Sequence, residues 1–262
     1  MNKVLINDIL SKNNLSPQKA KGQNFLVDDD ICRVIVEFLH PHYDHVLEVG
    51  PGLGSLTEHL VQKTKNLIAV ELDRGYVKYL QEIYTNATII EKDFLKYIVP
   101  RETKAVISNI PYYITTKIIE KVILDTPNLD VFVFMTQKDL KDRFFAKPNS
   151  KEYGPLPILL SLTGTIEQKM IVTADKFYPM PNVDSAVFRF KRHEINFDIR
   201  EFYKFLKFVF INRRKKLFNN LKNQYNGELV NKLFNELKID ENIRIEALGP
   251  SMLLTIYDTL NK

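Results

Sequence analysis

Four consecutive residues, Asn109-Ile110-Pro111-Tyr112, follow the apolar run Ala105-Val106-Ile107-Ser108. An amide, a proline and an aromatic ring at the carboxyl end of a buried strand are suited to holding a flat, amino-bearing ring for alkylation. An exocyclic amine on such a ring is a poor nucleophile, because its lone pair is delocalised into the π system. Two acceptors, the Asn109 side-chain oxygen and the Pro111 main-chain carbonyl, could take its two N–H bonds and turn the lone pair toward an electrophile. The Tyr112 ring would stack on the base and fix its plane. Taken alone, the tetrapeptide is equally a strand ending in a turn.

The electrophile's site is written upstream. Val46-Leu47-Glu48-Val49 leads into Gly50-Pro51-Gly52-Leu53-Gly54-Ser55, and Leu56, Leu60 and Val61 begin a helical stripe. Glycines let the backbone turn sharply and approach a ligand closely, with a helix N-terminus behind them. The dinucleotide fingerprint is GxGxxG/A; here the glycines fall at GxGxG and Ser55 takes the sixth position. Glu48, just before the loop, is a poor neighbour for a pyrophosphate. It suits a ligand with a cationic centre, such as the sulfonium and ammonium of S-adenosylmethionine (AdoMet). Leu67-Ile68-Ala69-Val70 then runs into Glu71, placed to accept from ribose hydroxyls. Thr88 to Lys92 runs into Asp93-Phe94, an acceptor for an adenine amino group and a ring to cover its face. A lone acid at a strand end is usually just solvated; three in register at successive strand ends point to a ligand.

With Gln23-Asn24-Phe25-Leu26 and Phe177-Tyr178-Pro179-Met180-Pro181-Asn182-Val183-Asp184-Ser185, these motifs resemble the ribosomal RNA adenine N6,N6-dimethyltransferases. The nearest group is the bacterial KsgA (RsmA) enzymes, which modify two adjacent adenosines near the 3′ end of small-subunit rRNA. The resemblance runs from about Lys19 to the C-terminal helices. It implies a Rossmann-like class I AdoMet-dependent methyltransferase fold, α/β with a mostly parallel seven-stranded sheet, and a small all-helical C-terminal domain. It implies AdoMet as cofactor, with Gln23, Asn24 and Leu26 at the lip of its site. It makes Phe177 the second aromatic wall, so that the flipped base lies between Tyr112 and Phe177. The substrate it implies is small-subunit rRNA or a pre-30S particle. Two alternatives remain: the Erm type, which methylates large-subunit rRNA and confers macrolide resistance, and a non-catalytic nucleic-acid-binding factor of this fold. Val183-Asp184-Ser185-Ala186 and Tyr153-Gly154-Pro155-Leu156 favour the small-subunit group. Ile110 and Tyr113 depart from its common Leu and Asn. Intact Asn109, Tyr112, Glu71 and Asp93 argue against a dead site.

Positive charge is unevenly spread. The net charge is +5, with +3 in residues 1–27, +4 in 195–262 and −2 in between. Basic ends around a neutral-to-acidic middle suit a phosphate-binding surface near a nucleoside pocket. Lys19 and Lys21 at one end, and Arg213, Arg214, Lys215 and Lys216 at the other, are the candidate RNA contacts. Phe210, Leu217 and Leu221 share helical spacing, so the basic run is expected to project from a helix.

Alternating periodicity predicts a short helix over residues 2–13 and a helix from Asp28 to about Leu39. Strands are predicted near 46–49, 67–71, 88–91, 105–108 and 131–135. Such alternation implies a doubly wound parallel sheet. Lys169–Val172 and Ser185–Phe190 should close it as an antiparallel pair. Lys176–Asp184, with prolines at 179 and 181, reads as loop. The organisation expected is an N-terminal helix and basic arm (1–27), the AdoMet-binding domain (28–193) and the helical RNA-binding domain (194–262). Cys32 is the sole cysteine, which excludes an internal disulfide. His40, His42 and His45 flank Pro41 without acidic or thiol company, so no metal site is expected. No apolar run approaches the ~20 residues of a membrane span, and the start lacks a signal-peptide core. A cytoplasmic monomer is expected.

Overall fold

The computed structural model describes residues 3–17 and 22–261; the candidate contacts Lys19 and Lys21 lie outside them. The described residues form nine strands and eleven helices, in the order α1 (Lys3–Lys12), β1 (Phe25–Leu26), α2 (Asp29–Glu37), β2 (His45–Val49), α3 (Thr57–Leu60), β3 (Asn66–Glu71), α4 (Arg74–Ile83), β4 (Thr88–Glu91), β5 (Ala105–Asn109), α5 (Thr115–Asp125) and β6 (Val131–Gln137). Then come α6 (Lys141–Phe144), α7 (Pro155–Thr163), β7 (Gly164–Val172), β8 (Phe177–Tyr178), β9 (Ser185–Arg192), α8 (Ile199–Phe210), α9 (Leu217–Lys222), α10 (Gly227–Glu236) and α11 (Pro250–Leu260).

Seven strands form one sheet in the order β4-β3-β2-β5-β6-β9-β7. The first five run parallel, and β9 joins β6 antiparallel. Central strands buried on both faces read as continuous apolar runs, and Val131-Phe132-Val133-Phe134-Met135 is wholly buried. Phe134 stacks on Phe188 across the antiparallel pair, ring centroids 5.4 Å apart. From β2 the chain winds outward through β3 and β4, then returns to the other side of β2 as β5. That reversal opens a crevice at the carboxyl ends of β2 and β5, where ligands bind in doubly wound sheets. The register sets Val49 beside Ser108, bringing the glycine loop next to Asn109.

Helix α2 starts as its sequence dictates: Asp28 accepts from Ile31 N–H at 3.2 Å, and Asp29 and Asp30 follow in the first turn. The segment 176–184 differs from its reading as pure loop. Phe177 and Tyr178 precede the first proline and keep their N–H groups, and they pair antiparallel with Leu26 and Phe25. Pro179 ends the pairing. Helix α3 is only one turn long, shorter than the apolar stripe suggested.

Chain contacts divide the protein into two compact units, Met1–Leu140 with Thr165–Arg192, and Lys141–Gly164 with His193–Lys262. One division between the units falls between Arg192 and His193. The segment 141–164, however, groups with the C-terminal helices. Its buried Tyr153 hydroxyl donates to the Leu248 carbonyl at 2.7 Å, and its ring meets Phe210 edge-on at 6.0 Å. Local pattern could not reveal this, because the partners Phe210 and Leu248 lie far downstream in the chain.

Candidate active site

The glycine loop, the ends of β3, β4 and β5, and the Gly22–Leu26 segment enclose a cavity of ≈ 130 Å³. Gly50, Gly52 and Gly54 all have positive φ, at 67°, 59° and 88°. At Gly54 a Cβ would also stand 2.8 Å from Tyr84 Cε2, so this glycine is required twice over. Ser55 donates to the Leu26 carbonyl at 2.8 Å, joining the loop to the lip strand.

Two acids line the cavity and do different work. Glu71 accepts from three backbone N–H groups: Gly52 at 3.0 Å through Oε2, and Leu72 and Asp73 at 2.8 and 2.9 Å through Oε1. It therefore holds the glycine loop against the end of β3. A carboxylate offers about four lone-pair sites, which leaves room for a ribose hydroxyl. Burial pushes its pKa up, against the pull of those N–H groups. Glu48 is 1% exposed, and among the described residues its one hydrogen bond is with Thr57, whose hydroxyl donates to Oε2 at 2.6 Å. Burial raises its pKa to about 8, with the Glu71 charge adding to the rise. Without a cation beside it, Glu48 is therefore largely protonated near neutrality. An arriving positive charge would favour its ionisation.

At the third strand end, Asp93 Oδ1 caps the following turn through Leu95 N–H at 2.9 Å. Asp93 and Phe94 both border the cavity. Lys92, Leu72 and Ile110 also line it, and nothing in their types had singled them out. At the lip, the Gln23 amide oxygen accepts from the Tyr76 hydroxyl at 3.0 Å, and Leu26 is buried against the cavity.

Asn109 lies at the carboxyl end of β5. Its Nδ2 donates to the Asn24 carbonyl at 3.1 Å, which fixes the flip of the amide. Oδ1 then remains as an acceptor on a residue that borders the cavity. Pro111 is less open than its sequence position suggested. Its carbonyl accepts from Ile114 N–H at 3.1 Å, closing the 3-10 turn Tyr112–Ile114, and from the Thr115 hydroxyl at 3.5 Å. The Tyr112 ring borders the cavity, and its hydroxyl meets Ser185 Oγ at 2.8 Å. Burial pushes the Tyr112 pKa up. Ser185 is fully buried at the start of β9, and its part in orienting Tyr112 was not read from the sequence. The only signal was its place after Asp184, where the strand begins.

Phe177 does not reach the cavity. It is 1% exposed, opposite Leu26 in the β1–β8 pair, and packs in the core with Ile35, Met135 and Val187. Burying such a side chain is worth about 1.5–3 kcal/mol, and stacking on a base returns about 1–3 kcal/mol. Swinging the ring outward offers no net gain. The clasp of a base between Tyr112 and Phe177 is not formed.

The basic run also differs from expectation. The helix breaks after Phe210; residues 211–214 form turns, and Lys216 makes an antiparallel bridge to Arg244 before α9. Arg213 is consumed internally: Nε donates to Glu246 at 2.8 Å, and its other nitrogens donate to the carbonyls of Lys151, Tyr153 and Ser150. Arg214, Lys215 and Lys216 are exposed, with Lys216 bonded to Asn242 at 2.6 Å. Among the described residues, the three-residue group with metal-ligating geometry is Asp29, Glu58 and His59, not the histidines near Pro41.

A glycine loop of this GxGxG form, acids at three strand ends and an oriented Asn-Ile-Pro-Tyr turn sit in one crevice. The family model for ribosomal RNA adenine dimethylase matches residues 1–262. The chain belongs to that family. It is an AdoMet-dependent rRNA adenine methyltransferase. Ribosomal RNA small subunit methyltransferase A of Malacoplasma penetrans is 38% identical, covering 95% of each chain. The protein of that name from Mycoplasma mobile is 37% identical over 93% of this chain and 98% of its own. A dimethyladenosine transferase from Plasmodium falciparum superposes with a TM-score of 0.76 at 25% identity, covering 90% of this chain and 97% of that one. The 23S rRNA methyltransferase ErmE, at 23% identity and a TM-score of 0.65, shares the fold. No helix among the described residues is long and apolar enough to cross a membrane.

Proposed function

We propose that this methyltransferase dimethylates N6 of two adjacent adenosines near the 3′ end of small-subunit ribosomal RNA, with Asn109 and Tyr112 handling the base. The small-subunit target is supported by relatives of that name, similar over nearly the whole chain. One observation carries the site assignment: the Asn109 amide is locked by the Asn24 carbonyl within the glycine-loop cavity.

AdoMet supplies a methyl group on a sulfonium, which needs no metal or redox partner to be transferred. The protein's part is placement and hydrogen bonding. Gly50, Gly52, Glu71 and Asp93 would hold the nucleoside end of the donor, and Glu48 would offer its carboxyl to the cationic centre. Asn109 Oδ1 accepts an N6–H of the target adenine, so that the lone pair turns toward the methyl carbon. Methyl transfer would leave N6 cationic, and its proton would pass to solvent, since the alkylated amino group is strongly acidic. Tyr112, pinned by Ser185, stacks on one face of the base. For the second transfer only one N–H remains. A single acceptor at Asn109 serves both rounds, consistent with a Pro111 carbonyl already bonded to Ile114. Extruding the base costs a few kcal/mol of unstacking, which stacking on Tyr112 offsets in part.

The exposed Arg214, Lys215 and Lys216 would contact phosphates. The test is incubation with labelled AdoMet and purified small- and large-subunit precursors, followed by mapping of methylated residues. Paired N6,N6-dimethyladenosines in the small-subunit RNA are expected. Label in large-subunit RNA alone would refute the assignment.

A further inference from the structure

Phe177 lies in the core, so the substrate crevice lacks the second aromatic face that the sequence motif promised. Another ring borders the cavity from outside the core. Tyr113, the residue after Tyr112, is 59% exposed and borders the same cavity. It rides on the 3-10 turn that carries Tyr112. Gly22 lies beside it: a Cβ there would stand 3.5 Å from Tyr113 Cδ1, an ordinary van der Waals contact, so the lip abuts the ring. Among the described residues the Tyr113 hydroxyl makes no hydrogen bond. A large aromatic ring exposed at the mouth of a cavity, one residue from the ring that stacks the target, is placed to meet flat ligands. Extruding one nucleotide draws its covalent neighbours to that mouth, because a single phosphodiester link joins them.

We propose that Tyr113 is a stacking platform for the nucleotide next to the extruded adenosine, outside the pocket that holds the reacting base. The inference rests on the RNA-methylating reading of the cavity. Stacking of a base on an exposed aromatic ring is sequence-tolerant and worth about 1–3 kcal/mol, or roughly 5- to 150-fold in RNA affinity. It would hold the strand in register while the target base is exchanged or methylated again.

The experiment uses the full chain and a small-subunit rRNA fragment in which one of the two adjacent adenosines is replaced by 2-aminopurine. That base lacks N6 and so cannot enter the reaction. Stacking on tyrosine quenches it. With wild-type protein, quenching at the substituted position and methylation of the remaining adenosine are expected. Tyr113→Ala should lose the quenching and weaken RNA binding about 5- to 150-fold, with AdoMet affinity unchanged. Tyr113→Phe should retain both within twofold. Unchanged quenching and affinity in Tyr113→Ala, or a fall in AdoMet affinity matching that for RNA, would overturn the platform. In those cases wild-type methylation would still stand. A wild-type protein that leaves small-subunit RNA unmethylated would instead bring down the underlying reading and the platform with it.

Discussion

Asn109 shows how much a single hydrogen bond decides. An amide can point either end at a ligand, and its Nδ2–H donation to the Asn24 carbonyl selects the oxygen. Asn109→Ala should therefore lower methyl transfer about 100- to 1000-fold, the cost of removing one transition-state hydrogen-bond partner. AdoMet affinity should stay within a few fold, so titration calorimetry beside a methyl-incorporation assay separates the two. Glu48 has a consequence at the same scale. Its folded pKa, about 8, lies above the ordinary carboxylate value of 4.5. The folded state then binds more protons than the unfolded state between those values, and stability falls as pH rises through that window. Glu48→Gln keeps an acceptor for Thr57 and removes the titration. Ligand-free melting curves from pH 5 to 8 should slope less in the variant than in the wild type; parallel slopes would show that Glu48 is ionised throughout.

The glycine loop is held from below by Glu71 and from the side by Ser55, which bonds the lip strand β1. Strand β1 in turn pairs with β8, just ahead of Pro179. The donor lip and the Phe177 segment are thus one small sheet, and Phe177 serves it from the core. Gly54 is the tightest point of the loop, with φ at 88° and Tyr84 and Leu80 against it. Gly54→Ala should cost about 1–3 kcal/mol and lower the melting midpoint by roughly 2–12 °C. AdoMet binding should weaken in parallel. A variant with unaltered melting and binding would mean that the loop relaxes without strain.

For the whole molecule, the basic run divides into a structural arginine and exposed cations. Arg213 ties Glu246 to the carbonyls of 150–153, within the helical unit. Arg213→Ala should destabilise that unit, seen as a lower melting midpoint, with little change in the salt slope of RNA binding. The double change Arg214→Glu, Lys215→Glu should do the reverse: melting unchanged and RNA affinity reduced. For each phosphate no longer neutralised, the log–log salt slope should fall by about 0.7–0.9. An unaltered slope in the double variant would mark these residues as solubilising surface.

The sequence by itself determined the strand order's raw material: four apolar runs ending in an acid, a glycine loop or Asn109, and a fifth at 131–135, each recovered to within a residue or two. Those features depend on local periodicity and turn chemistry, which neighbouring residues encode. It also carried the family's motifs, which named the donor and the reaction. Tertiary structure alone decided which motif residues face the cavity. Phe177 and Tyr113 are both aromatic residues in or beside a site motif, and no spacing distinguishes a ring buried in the core cluster that holds Ile35 and Met135 from one left exposed at the cavity. Arg213 and Arg214 are adjacent and alike, yet only the first meets a distant carboxylate. The protonated state of Glu48 belongs here too, since burial is a property of everything packed around a carboxyl group rather than of its neighbours in the chain.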